Sequence, residues 1–128
     1  MKPYIETMST NVAVQKCDEY QFDSVYKSVK KLLELVPSPD LKDKTVLLKP
    51  NILYPKKVED AVCTHPVVVG ACVKAFIELG AKEVYLYITH CENTIFEGEI
   101  FTSGLIEKVY TTNSILRKTN EKIEVFEL

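Results

Sequence analysis

The sequence predicts an α/β fold: a three-layer, Rossmann-like domain with a mostly parallel sheet of about five strands. Three observations carry this expectation. Short runs of strand character alternate with helical patterns along the chain, as they do when crossover helices cover a parallel sheet. The stretch "KTVLLKP" (44–50) is almost continuously apolar, like strands buried on both faces. The chain has 128 residues, 46% hydrophobic and 27% charged, which suits a single domain, 1–128, with one core.

The elements follow in order. "NVAVQKC" (11–17) reads as a short strand. "DSVYKSVKKLLELV" (23–36) reads as a helix, because Val25, Val29, Leu32, Leu33 and Val36 share one face at helical spacing. Asp23 is its expected N-cap, and "PSPD" (37–40) stops it. The second strand is 44–50. "THPVVVGACVKAFIELGAK" (64–82) is a second helix, with Pro66 in its first turn and Gly80 just past its end. "EVYLYIT" (83–89) is a third strand, and 95–107 holds a short helix ending near Gly104. "KVYTTN" (108–113) and "KIEVFEL" (122–128) complete the sheet as fourth and fifth strands.

The bulk numbers narrow the function classes. A net charge of -2 gives no general attraction to nucleic acid or to a membrane surface. No apolar run is long enough to span a bilayer, and "MKPYIETMST" lacks an apolar signal core. Four cysteines without a CxxC pair fit reduced thiols in a cytoplasmic protein. Cys17 and Cys72 read as small buried hydrophobes.

Ligands of open α/β sheets bind beyond the carboxyl ends of the strands. Three successive strands here end in polar side chains. The second ends in Lys49 and Asn51, the third in Thr89 and His90, and the fourth in Thr112 and Asn113. The second helix begins near Thr64 and His65, and helix N-termini favour anions. With Lys56 and Lys57 nearby, the expected ligand is a small anion, a phosphate or carboxylate, held by these eight rim residues. Polar residues are also normal where strands leave a core, so an inert rim is the competing reading. A zinc or iron site drawn from Cys63, His65, His90 and Cys91 is disfavoured, because adjacent strand residues such as His90 and Cys91 point to opposite faces. A nucleophilic Cys91 would need a neighbour that lowers its pKa.

Residues 11–82 resemble the start of the domain-of-unknown-function 362 family. The resemblance rests on "VAVQKCDEY", "VYKSVKKLLEL" and "VLLKPNILYPKKVEDAVCTHPVVVGACVKAFIELGAK", above all on "LLKPN" followed by "THP" and an apolar helix. It implies a fold more than a reaction. Residues 76–126 resemble the C-terminal segment of phosphoribosyl-pyrophosphate synthetases and related phosphoribosyltransferase-fold proteins, on "ELGAKEVYLYITHC", "FEGEIFTSGLIEKVYTTNSI" and "KIEVFEL". Thr89, His90, Thr112 and Asn113 match that pattern, which implies phosphoribosyl transfer with Mg²⁺ and a ribose phosphate. The acidic loop that grips ribose 5-phosphate in that family is replaced here by "LLKPNILYPKK…THP". The chain thus reads as a composite, a chimera of two families joined near 76–82. An inert structural or interaction domain is the third functional expectation.

Overall fold

The computed structural model describes residues 10–52 and 57–128. The first nine residues and Lys56, used in the sequence reading, lie outside them. The elements in order are α1 (Phe22–Leu35), β1 (Thr45–Leu48), α2 (Pro66–Glu78), β2 (Glu83–Ile88), β3 (Lys108–Thr112) and β4 (Ile123–Phe126). A 3₁₀ turn at Val58–Asp60 precedes α2, and two more, Asn93–Glu97 and Glu99–Phe101, link β2 to β3.

The sheet has four strands in the order β1-β2-β3-β4, all parallel. Its register aligns one apolar face across the strands: Val46 with Val84, Leu86 with Val109, and Val109 with Ile123. These residues pack on Val73 of α2, on Leu116, and on Ile95, Ile100 and Phe101 of the 3₁₀ segments. α2 can lie flat on this face because it is apolar nearly all round; Ala71, Val73 and Ala75 are buried. The opposite face carries Leu47, Tyr85, Tyr87, Tyr110 and Phe126. Tyr110 stands edge-on to Tyr85 at 5.5 Å and stacks with Phe126 at 5.8 Å.

Two expectations need correction. Residues 11–17 form no strand; Val12 and Val14 are solvent-exposed, as is Cys17. The sheet therefore has four strands among the described residues, not five. The expected cover of helices on both faces is not found among the described residues: the core and α2 lie on one face, and α1 packs on α2. When neighbouring strands follow one another in sequence, crossovers of one hand place every connection on the same side. Covering both faces requires a reversal of strand order, and this order contains none.

Local chemistry accounts for the element ends. α1 starts after Gln21, which makes no side-chain cap bond, so Asp23 lies in the first turn instead of capping it. The expected helix in 95–107 breaks into the two 3₁₀ turns around Gly98. α2 ends in a Schellman motif: Ala81 N–H donates to the Phe76 carbonyl at 3.0 Å and Gly80 N–H to the Ile77 carbonyl at 2.9 Å. Gly80 sits at φ 96°, where a side chain is strained. Tyr26 of α1 donates its hydroxyl to Glu78 of α2, and that carboxylate pushes the phenol up to about 12. No helix of the described residues is long and apolar enough to cross a membrane.

Candidate functional site

The carboxyl ends of the strands hold two separate groups of the residues expected there. The first joins the end of β1 to the start of α2. Asn51 N–H donates to Thr64 Oγ1 at 3.0 Å, and Thr64 N–H returns a bond to the Asn51 carbonyl at 2.7 Å. Asn51 Nδ2 also donates to the Val62 carbonyl at 2.9 Å. His65 follows as the N-cap of α2. Its Nδ1 accepts from Val67 N–H at 3.1 Å, and its ring stacks on Tyr20 at 4.0 Å.

This cap changes what the helix end offers. Pro66 has no N–H. Val67 N–H is taken by the His65 ring, and Val68 N–H bonds the His65 carbonyl at 2.9 Å. The first turn of α2 thus uses its own amides, and the helix-end donors invoked for an anion are occupied. Lys49 and Lys57 are exposed, and neither has an ion-pair partner among the described residues.

The second group ties β2, β3 and β4 together. Thr112 Oγ1 donates to the Thr89 carbonyl at 2.7 Å and lies 3.0 Å from Ser114 Oγ. His90 Nδ1 pairs with the same Ser114 hydroxyl at 2.8 Å. Asn113 N–H donates to the Phe126 carbonyl at 2.9 Å, and Leu128 N–H to Asn113 Oδ1 at 3.2 Å. Ser114 is therefore the hub that joins His90 to Thr112. Its place in "TTNS" marked it only as a polar strand end, since no local pattern signals a bond to a residue 24 positions earlier.

Beneath the rim, on the helix-covered face, lies a cavity of about 590 Å³. Its wall is aliphatic: Val69 and Val73 from α2, Leu86 and Ile88 from β2, and Ile95 and Ile106 from the β2–β3 connection. Thr64, Thr94 and Ser103 add hydroxyls, and Glu92 and Glu99 are the charged residues among the described lining. Thr64 therefore serves both the β1–α2 junction and the cavity wall. Ile95 was read from sequence as part of a short helix ending near Gly104, and Ile106 lies just past that end; folding over the sheet makes both a wall.

Cys63 and Cys91 also line this cavity. Cys91 is buried while its neighbour His90 is exposed, in keeping with opposite orientations. Burial pushes the Cys91 thiol up to about 11, and the nearby Glu92 carboxylate adds to the shift. That is the reverse of what a thiolate nucleophile needs. Burial raises Cys72 as well; it is half-buried. Among the described residues, no three His, Cys, Asp or Glu side chains gather where they could hold a metal ion.

The sequence model of one family, described as a domain of unknown function, DUF362, matches residues 46–125. This match runs unbroken through 76–82, where two resemblances meet in the sequence reading, and over almost all of the stretch compared with phosphoribosyl-pyrophosphate synthetases. It supports the first resemblance and gives none to the second, nor to a chimera. It begins at β1, leaving 11–45 outside the matched region. No curated protein sequence matches the chain.

Proposed function

Because the chain belongs to the DUF362 family, a domain of unknown function, we propose its function from the site alone: a domain that binds a small molecule at the carboxyl end of its sheet. The observation that carries this reading is the cavity of about 590 Å³ under the rim, a size within the range of small-ligand pockets. Its aliphatic wall suits an apolar body, and Thr64, Thr94 and Ser103 offer hydrogen bonds to a polar end. A carboxylate or phosphate buried in the cavity would meet Glu92 and Glu99 without a cation among the described lining. The favoured ligand is therefore an aliphatic molecule with a neutral or cationic polar group.

A small anionic or phosphorylated ligand held outside the cavity is the second reading. It is favoured by Lys49, an exposed cation at the end of β1 with no ion-pair partner among the described residues. The rim groups Asn51, Thr64, His65, Thr89, His90, Thr112 and Asn113 would then present its polar contacts. A phosphoribosyl-transfer enzyme is a special case of this reading and requires Mg²⁺ with a ribose phosphate.

The test is a thermal melt of the full chain with 1-octanol, 1-octylamine, octanoate, inorganic phosphate, and phosphoribosyl pyrophosphate plus Mg²⁺. A ligand that binds the native state raises the midpoint by mass action. The cavity reading expects a rise with octanol or octylamine that disappears in Val69→Phe, which narrows the cavity. A rise confined to the phosphates, and lost in Lys49→Ala, would replace it with the anionic reading. A cooperative melt unmoved by every compound would leave an interaction domain with an inert rim.

A further inference from the structure

We propose that residues 92–105 form a gate over the cavity, a flap that swings away from the body of the domain to admit a ligand and closes on its polar end. The gating role rests on the cavity being a ligand site. The opening itself is measured without ligand, so the two readings fail separately.

The flap hangs between two anchors. Before it, the Thr89 carbonyl accepts from Thr112 Oγ1 at 2.7 Å, and His90 pairs with Ser114 at 2.8 Å. After it, Ile106 is buried and Glu107 N–H donates to the Val84 carbonyl of β2 at 3.0 Å. Between the anchors the attachment changes in kind. Ile95 N–H bonds the Glu92 carbonyl at 3.1 Å, and the N–H groups of Thr102 and Ser103 bond the Glu99 carbonyl at 3.0 and 2.8 Å, all within the flap. Among the described residues, no main-chain hydrogen bond joins 92–105 to another part of the chain, and one side-chain bond does: Lys122 Nζ donates to the Phe101 carbonyl at 3.4 Å. Apolar contacts of half-buried Ile95, Phe96, Ile100 and Phe101 seat the flap on the core. A segment tied down in this way opens at less cost than the strands beneath it, whose ladders break only with the whole domain.

The flap is also built to move as one body. Phe96 stacks on Phe101 at 5.8 Å, which joins the two 3₁₀ turns across Gly98. At its far end Gly104 sits at φ 70°, and nothing stands within 4 Å of where its Cβ would be, so the backbone turns there without obstruction. The cavity lies between the flap and the body. The body supplies aliphatic wall from Val69, Val73, Leu86 and Ile88, whereas the flap carries Glu92, Thr94, Glu99 and Ser103, most of the polar lining. Opening therefore parts the polar side of the cavity from the apolar side. An aliphatic amine bound between them ties the two together, with its chain on the sheet and its cation at the carboxylates.

Cys91, buried in the cavity wall at the root of the flap, reports the opening. The full chain is labelled with N-ethylmaleimide at pH 7.5 over a range of urea below the unfolding transition, and Cys91 is followed by peptide mapping. A gate expects a labelling rate nearly flat in urea, because little surface is exposed when the flap swings. A rate that tracks global unfolding at every urea concentration overturns the proposal. Lys122→Met removes the one bond to the Phe101 carbonyl and is expected to speed Cys91 labelling about fivefold, the worth of one hydrogen bond; an unchanged rate overturns the latch and the gate with it. Octylamine is expected to slow the labelling. If octylamine raises the melting midpoint but leaves the labelling rate alone, the cavity binds and the gate is wrong. If it does neither, the cavity reading fails and the gating role falls with it.

Discussion

Asn51 and Thr64 bond each other reciprocally, main chain to side chain at 3.0 Å and main chain to main chain at 2.7 Å. The pair closes the chain between the end of β1 and the start of α2, so two residues expected to grip a ligand also form a junction. Thr64 keeps a face on the cavity as well.

Thr64→Val removes the acceptor for Asn51 N–H and keeps the shape of the side chain. The expected loss is about 1 kcal/mol, the usual net worth of one such bond. It is read as a lower urea midpoint with an unchanged slope. Thr64→Ser, which keeps the hydroxyl, is expected to hold the midpoint closer to wild type than Val does.

Thr111 is fully buried and donates its hydroxyl to the Ile88 carbonyl across the β2–β3 pair. Thr111→Val leaves that carbonyl without the bond while preserving volume, at an expected cost of about 1 kcal/mol. Thr111→Ala adds a small cavity beside Val109 and Val125, and its cost is expected to be larger by about 1 kcal/mol. Equal losses in the two variants would show that packing at this site matters less than the bond.

Gly80 is held at φ 96°, and a Cβ there would stand 3.3 Å from the Lys42 Cα. Gly80→Ala therefore suffers both backbone strain and crowding against main-chain-adjacent atoms that cannot swing aside. The expected destabilisation is about 1–2 kcal/mol, measured by chemical denaturation. An unchanged midpoint would show that the α2–β2 joint relaxes freely.

The Cys91 thiol, raised to about 11 by burial and by Glu92, stays protonated in the folded state at neutral pH. Iodoacetamide at pH 7.5 is expected to modify exposed Cys17 well before Cys91, as peptide mapping would record. The raised value also sets the sign of a stability effect. The native state holds this proton more tightly than the unfolded chain, whose thiol ionises near the ordinary 9.0. The contribution is whole below pH 9 and is lost as pH climbs toward 11. Cys91→Val is expected to flatten that part of the stability–pH curve relative to wild type.

Much of the architecture was legible because it is written in local patterns. Pro66 and Gly80 bracket α2, and their effects are intrinsic to their own backbones: a missing N–H and a tolerated positive φ. The alternation of Val84, Leu86 and Ile88 marks β2, since each strand residue turns to the face opposite its neighbour. The polar strand ends were equally plain: Thr89 and His90 fall beyond β2, while Thr112 ends β3 and Asn113 follows it. Their partners were not plain. Ser114 meets His90 because parallel pairing brings the ends of β2 and β3 level, and Asn51 meets Thr64 because the connection from β1 to α2 closes on itself.

The identity and order of most elements follow from local patterns, from hydrophobic period, caps and turn residues that act within a few positions. How those elements cover the sheet depends instead on long-range packing. The pattern "VAVQ" is that of a strand, yet a strand exists only when a neighbouring edge accepts its hydrogen bonds, and residues 11–17 stand apart from β1. The apolar residues of 95–107 could serve a helix or a wall equally well. They became the wall of a cavity because β2 and β3 are direct neighbours, so the link between them folds back over the part of the helix-bearing face that α2 leaves uncovered.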